Sequence, residues 1–211
     1  MPKIEAFEEY SDAYDEWFKN HLEMYEAELE AIRQLLPPPG AQGMEIGVGS
    51  GKFAAPLGIK IGVEPSQKMA VKAKRQGIDV YPGVAEALPF ADGRFDFALM
   101  VTTICFVDDV TKSFREAFRI LKPNGCIIVG FVDKESDLGR QYLAKKEKSR
   151  FYKDAVFFSA SQVLACLKEA GFGMIETRQT LIPGKRPEII LEGFGRGAFV
   201  VLKGVKNRRQ L

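Results

Sequence analysis

The sequence predicts an α/β protein built on a doubly wound, mostly parallel sheet, with a helical segment before it and an antiparallel hairpin closing it. Three observations carry this expectation. Short apolar runs alternate with helix-like stretches from Met44 to Ala170, as in successive βαβ units. Several of the runs are continuous rather than alternating, which marks strands buried on both faces of a sheet. A cluster of glycines directly follows the first run, where a strand must turn sharply.

The elements follow in order. Residues 7–36 read as helix, because Phe18, Leu22, Tyr25, Leu29, Ile32 and Leu36 recur at alternating spacings of four and three and lay one apolar stripe. Pro37, Pro38, Pro39 and Gly40 end it. Strands are expected at 44–48, 59–63, 78–81, 95–101 and 126–132. Helices are expected at 66–76, with Ser66 as N-cap, and at 109–121, stopped by Lys122-Pro123-Asn124-Gly125. A short helix is expected after the glycine cluster, interrupted by Pro56. A further helix at 159–170 has Ser159 and Gln162 at capping-box spacing and Gly171 at the C-terminal cap. Strands at 174–182 and 198–204 would form the closing hairpin. With no repeat and no second core, the expectation is a single domain over 1–211. It divides into a helical lid at 1–36, a core at 43–132, an insertion at 133–158 and a C-terminal helix and hairpin at 159–206.

Composition narrows the function. The 211 residues are 46% apolar and 27% charged, ordinary values for a globular protein with one sizeable core. The net charge of +2 creates no field that points to nucleic acid or a membrane. No apolar run approaches the roughly 20 residues of a membrane span. The N-terminus lacks the layout of a secretory signal, which places the protein in the cytoplasm. Cys105, Cys126 and Cys166 form no CxxC pair, so buried thiols are expected rather than disulfides or a zinc site. His21 is the sole histidine, which argues against histidine metal sites and a Ser-His-Asp triad; no metal is expected. Acids dominate between Glu5 and Glu30. Bases collect at Lys145, Lys146, Lys148, Arg150 and Lys153, and at Lys203, Lys206, Arg208 and Arg209. Each run reads as solvated surface.

The most informative segment is Glu45-Ile46-Gly47-Val48-Gly49-Ser50-Gly51. A triphosphate loop requires GxxxxGK followed by Ser or Thr, whereas Phe53 follows Gly51-Lys52 and Ile46 stands five before Gly51. A dinucleotide fingerprint requires GxGxxG; Gly47 and Gly49 fit, but Lys52 takes the third position. The remaining pattern, acid-x-Gly-x-Gly-x-Gly, resembles motif I of the class I S-adenosylmethionine-dependent methyltransferases. Ile61-Gly62-Val63-Glu64-Pro65-Ser66 is similar to the end of that family's second strand, and its acid offers two acceptor oxygens to a vicinal diol. Ala85-Glu86-Ala87-Leu88-Pro89-Phe90, Phe95-Asp96 and Leu121-Lys122-Pro123-Asn124-Gly125 resemble the ordered motifs of the small-molecule, methyltransferase type 11-like branch. Tyr14-Asp15-Glu16-Trp17-Phe18 resembles its lid element. The resemblance runs from about Tyr14 to Phe172.

The resemblance implies a Rossmann-like sheet of seven strands, S-adenosylmethionine as methyl donor with S-adenosylhomocysteine as product, and a small-molecule substrate. It implies that Gly47, Val48, Gly49 and Gly51 form the loop under the methionine part of the donor. Glu45 would orient that loop or reach the amino group through water. Glu64, with Pro65 and Ser66, would take the ribose, and Met69 would pack on the adenine. Val84 stands where the family often carries an acid, which leaves adenine to the Ala85 backbone and Glu86. Thr102 and Thr103 would face the ligand from the fourth strand, and Tyr14 and Trp17 would close over the sulfonium cation. Simple packing accounts equally for Met69, Thr102, Thr103, Tyr14 and Trp17, and His21 reads as a surface residue. No catalytic residue is nominated, because in-line displacement from an activated donor needs chiefly alignment and exclusion of water. A neutral amine nucleophile needs no dedicated base, so a small amine is the expected substrate. Two alternatives stay open at this stage. One is a non-catalytic domain that binds the same cofactor; the other is a nicotinamide-dependent oxidoreductase, although Lys52 breaks the GxGxxG fingerprint that such an enzyme requires. The Asn/Asp-Pro-Pro-Tyr and Pro-Cys motifs of nucleic-acid methyltransferases are absent, and no nucleic-acid partner is expected.

Overall fold

The computed structural model describes residues 3–207; Arg208 and Arg209 of the second basic run lie outside the described residues. The N-terminal region is three helices, not one: α1 (Glu5–Glu9), α2 (Ser11–Asn20) and α3 (Leu22–Arg33). Tyr10 and His21 take non-helical dihedrals and break it. The break at His21 resets the helical phase. Phe18, Leu29 and Ile32 of the expected stripe are buried, but Leu22 is 53% exposed and Leu35 is buried in the core.

Strands β1 (Gly43–Ile46), β2 (Ile61–Val63), β3 (Asp79–Tyr81), β4 (Phe95–Val101) and β5 (Leu121–Val132) pair in parallel. The sheet order is β3-β2-β1-β4-β5-β8-β6-β7. β6 (Phe172–Thr180) and β8 (Phe199–Lys206) form the antiparallel hairpin, with β8 inserted between β5 and β6. The eighth strand, β7 (Leu191–Glu192), adds to the seven expected. It pairs only with Arg178 and Gln179 at the sheet edge, and two residues are too short to leave a periodic signal.

The helices between the strands have local causes. Ser66 caps α4 (Gln67–Arg75) by accepting from the Met69 N–H, and Asp109 caps α5 (Val110–Ile120) through the Lys112 N–H. Ser159 and Gln162 complete a capping box on α7 (Ala160–Glu169). No α-helix follows the glycine loop: residues 52–58 are successive turns. Pro56 lacks an N–H and Gly58 disfavours continuation, so the segment cannot propagate. The insertion carries a helix the sequence did not announce, α6 (Asp137–Lys145). Cys105, Cys126 and Cys166 are free, the first two buried. Among the described residues no helix is long and apolar enough to cross a membrane.

The sheet separates two apolar layers. On one face α5 and α7 bring Phe114, Ala117, Ile120, Val163 and Leu167 onto β4 and β5. On the other, α3 and the residues just after it, the 52–58 turns and α4 bring Ile32, Leu35, Phe53 and Ala73 onto β3, β4, β5 and β8. β2 lies to one side of β1 and β4 to the other, so the chain reverses its direction of winding there and leaves a crevice at the C-terminal ends of the strands. Phe114 is fully buried in the first layer. Phe114→Ala is expected to cost about 3–5 kcal/mol through lost burial and a residual cavity, a fall in Tm of about 6–20 °C for a chain of this size. A loss of only a degree or two in thermal denaturation would show that layer to be loosely packed.

Candidate active site

A cavity of about 210 Å3 opens at this crevice. Its floor is made where the parallel strands end: Gly47 after β1, Glu64 and Pro65 after β2, Ala85 and Glu86 beyond β3, Thr102 and Thr103 after β4. Tyr14, Trp17, Gly49 and Met69 also line it. Glu45, Val48, Gly51 and Ser66 do not; all four are buried behind the wall. Val48 fills the space above Gly62, and Gly51 packs against α4 and Ile78.

The floor is held by backbone. Gly47 and Val48 N–H both donate to the Val63 carbonyl, at 2.8 and 3.0 Å. Gly47 leaves room for Thr103, whose hydroxyl donates to the Gly47 carbonyl at 3.3 Å. Gly49 sits at φ +55°, a conformation that side chains disfavour, and a Cβ there would come into contact with Met69 and Tyr14 at the cavity wall, so glycine keeps the backbone open to a ligand's close approach. Glu64 is 8% exposed. Its two oxygens accept the N–H groups of Gly49 and Ser66, each at 2.9 Å, and each oxygen keeps a lone pair for a further donor. Glu86 lines the cavity, yet its carboxylate already accepts the N–H groups of Asp108 and Asp109, at 2.7 and 3.1 Å.

The acidic N-terminal run is more than solvated surface. Glu8 accepts from the Ser66 hydroxyl at 2.7 Å, Asp15 accepts from the Ser50 hydroxyl at 2.6 Å, and Lys72 bridges Asp12 and Asp15. These contacts dock α1 and α2 over the floor. The ring of Phe151 then meets Phe7, Tyr10 and Tyr14 at centroid distances of 5.7, 6.5 and 6.0 Å. His21 is exposed and stacks on Trp17 at 4.6 Å. Sequence reasoning missed several wall residues: Glu28, Phe106, Tyr142, Phe151 and Tyr152. Glu28 did leave a signal, since it lies three after Tyr25 and four before Ile32, an acid set into the apolar stripe.

A methyltransferase domain model matches residues 44–129, the span from β1 into β5. The solved structure of an S-adenosylmethionine-dependent methyltransferase from Thermotoga maritima, described as a possible histamine N-methyltransferase, is 50% identical. It superposes with a TM-score of 0.92 over 97% of this chain and 100% of that one. The chain belongs to the S-adenosylmethionine-dependent methyltransferases. An uncharacterized protein of Methanocaldococcus jannaschii is 43% identical over 96% of this chain and 100% of its own length. A ubiquinone biosynthesis O-methyltransferase of Azorhizobium caulinodans is 28% identical over 68% of this chain and 63% of its own length.

The residues present fit the cofactor of this methyltransferase. The Gly49 backbone is bare toward the cavity, the Glu64 carboxylate retains acceptor capacity, and buried Glu45 has an oxygen, Oε2, without a partner. Burial controls the charges here. It lifts the Glu64 carboxyl to about 7 against the opposing pull of the Ser66 and Gly49 N–H groups, and the Glu28 carboxyl to about 8. It also carries Glu45 well above its ordinary range. The Tyr14 hydroxyl is raised by burial and by Glu45 and Glu64. The unfolded chain releases these carboxyl protons near 4.5, whereas the folded chain holds them to about 7 at Glu64 and about 8 at Glu28. The folded state therefore carries more protons across that window, and stability falls as pH rises through it. Thermal scans of the cofactor-free protein are expected to show Tm declining from about pH 5 to about pH 8; a flat or rising Tm would mean that the three carboxyls are solvated.

Proposed function

We propose that this methyltransferase alkylates the nitrogen of a small amine. The observation that supports this reading best is the aromatic enclosure of the cavity above its glycine floor: Tyr14, Trp17, Phe18, Phe106, Phe151 and Tyr152. Ring faces attract cations and their bulk excludes water. The Thermotoga relative's description as a possible histamine N-methyltransferase points the same way.

In this reading the glycine loop holds the methionine part of the cofactor, with Gly49 at closest approach and Glu45, buried behind the loop, orienting it. Glu64 binds the ribose, with Pro65 and Ser66 fixing its carboxylate. Met69 packs on the adenine; Ala85 recognises it through backbone, because the Glu86 carboxylate is committed to Asp108 and Asp109. Thr102, Thr103, Tyr14 and Trp17 border the reacting end. S-adenosylmethionine supplies a methyl group already activated by its sulfonium. The chain's own part is to align the nucleophile, keep water out and leave the amine lone pair free. Helices α1 and α2 act as a lid, latched through Glu8, Asp12 and Asp15.

A transfer screen over amines, phenols, thiols and carboxylates, with histamine among the amines, tests the substrate class. Methylation of amines is expected, and turnover of phenols alone overturns the reading. For the cofactor site, S-adenosylmethionine and S-adenosylhomocysteine are expected to raise Tm by mass action, and NADH is not. Glu64→Ala should weaken cofactor binding by about 1.5–3 kcal/mol for each charge-assisted hydrogen bond lost, and Gly49→Val should abolish it in calorimetry. Full affinity in either folded variant removes that residue from the site. For the lid, α1 buries no residue of its own, so a chain beginning at Ser11 should fold and bind cofactor while turnover drops. Undiminished turnover would make α1 a mere appendage.

A further inference from the structure

Helix α3 packs Ala27, Leu29, Ala31 and Ile32 into the core, and Glu28 lies among them at 4% exposure. The residue lines the cavity. Among the described residues it has no hydrogen-bond or ion-pair partner, and burial is the sole influence that shifts it. Its oxygens are nonetheless not sealed in protein: the fully enclosed, unpartnered side-chain oxygen among the described residues is Glu45 Oε2. Glu28 therefore opens onto the cavity itself.

The groups facing Glu28 come from four parts of the chain. Tyr14 of α2, Tyr25 of its own helix, Tyr142 of α6 and Tyr152 beyond α6 all feel its charge. Glu45 of β1 bears on Tyr14 and Tyr25 as well. No cation is among the influences on Glu28. The rings of Tyr142 and Tyr152 stack at 5.2 Å and 23°. The result is a carboxyl at the wall of an aromatic chamber, remote in sequence from the glycine loop.

We propose that Glu28 recognises the substrate as an ammonium ion and accepts its proton. This rests on the amine reading above and deepens it by naming the group that selects the amine. A buried carboxyl without a partner costs folding free energy. A ligand that brings N–H donors and positive charge offsets that cost, and aromatic faces around it add to the attraction. A carboxylate ligand would be repelled. The proton balance is simple. One N–H bond of the ammonium breaks as an O–H bond forms on Glu28, which leaves a neutral amine with a free lone pair. The methylated product leaves as an ammonium ion and the accepted proton stays on Glu28, which restores the protonated free carboxyl; the one proton of the net reaction is the one released when the amine binds.

The cofactor-free carboxyl, lifted to about 8, is protonated at neutral pH. Free protein and free ammonium thus carry one proton more than the bound pair, whichever partner holds the shared proton, so binding must release it. The test is calorimetric titration of the S-adenosylhomocysteine-saturated protein with phenethylamine and tyramine, and with 2-phenylethanol as the neutral analogue. Runs at pH 7 in buffers of different ionisation enthalpy count the protons. Amine binding is expected to release about one proton, and alcohol binding none. Glu28→Gln, which copies the protonated carboxyl, should fold with undiminished Tm, weaken amine binding about thirtyfold or more and abolish the release. Amine affinity within about threefold of wild type together with unchanged release in Glu28→Gln overturns the role of Glu28 but leaves the amine reading standing. A wild-type protein that binds neither amine, yet methylates phenols or thiols in the transfer screen, overturns both.

Discussion

A single buried carboxylate ties the working parts together. Glu64 accepts the N–H of Gly49 on one oxygen and that of Ser66 on the other. The first bond fixes the glycine loop after β1, and the second fixes the start of α4. Ser66 then caps α4 through its hydroxyl oxygen and donates from the same hydroxyl to Glu8, which extends the chain of contacts to α1. Floor, helix and roof are thereby held to one another by charge-assisted hydrogen bonds, which are stronger than neutral ones in a dry site. The geometry exists because β1 and β2 are parallel neighbours with their C-terminal ends side by side.

The same dryness governs the electrostatics. Three carboxyls, Glu28, Glu45 and Glu64, are held out of water, and burial is the largest influence on each. Only Glu64 has its charge stabilised by two backbone donors among the described hydrogen bonds. Such an arrangement lowers the stability of the folded chain at neutral pH and above, and strained or desolvated groups of this kind concentrate at functional sites. Thr102 belongs with them: a β-branched residue at φ +51° in the cavity wall is held there only because β4 and the 3-10 turn after it fix both of its ends.

The roof is assembled from distant segments. Phe7 and Tyr14 come from the N-terminal helices, Phe106 from the turn after β4, and Phe151 and Tyr152 from the insertion after β5. Edge-to-face contacts knit them, as between Phe7 and Phe106 at 4.9 Å. Arg150 lies over the Tyr10 ring at 4.7 Å, so the basic run meets the acidic helices across the cavity roof instead of forming a separate surface.

The sequence by itself determined the doubly wound sheet, its seven main strands, the caps on α4 and α7, and the glycine loop with Glu64. Each of these depends on local chemistry: continuous apolar runs, a side-chain oxygen two or three residues before a free N–H, and glycines where the backbone must come close. Tertiary structure alone decided the rest. The breaks at Tyr10 and His21 and the exposure of Leu22 depend on how the helices dock, not on their periodicity. Val48, Gly51 and Ser66 share the loop motifs with Gly49 and Glu64, yet they point into the protein because side chains on a turn diverge. Glu28 looks like any acid on an amphipathic helix until packing shows that its face is the buried one. Tyr142, Phe151 and Tyr152 sit in a basic tract without periodic signal, and only the return of the chain over the crevice brings them to the cavity. Long-range closure of this kind is set by which surfaces bury one another, and no spacing along the chain records it.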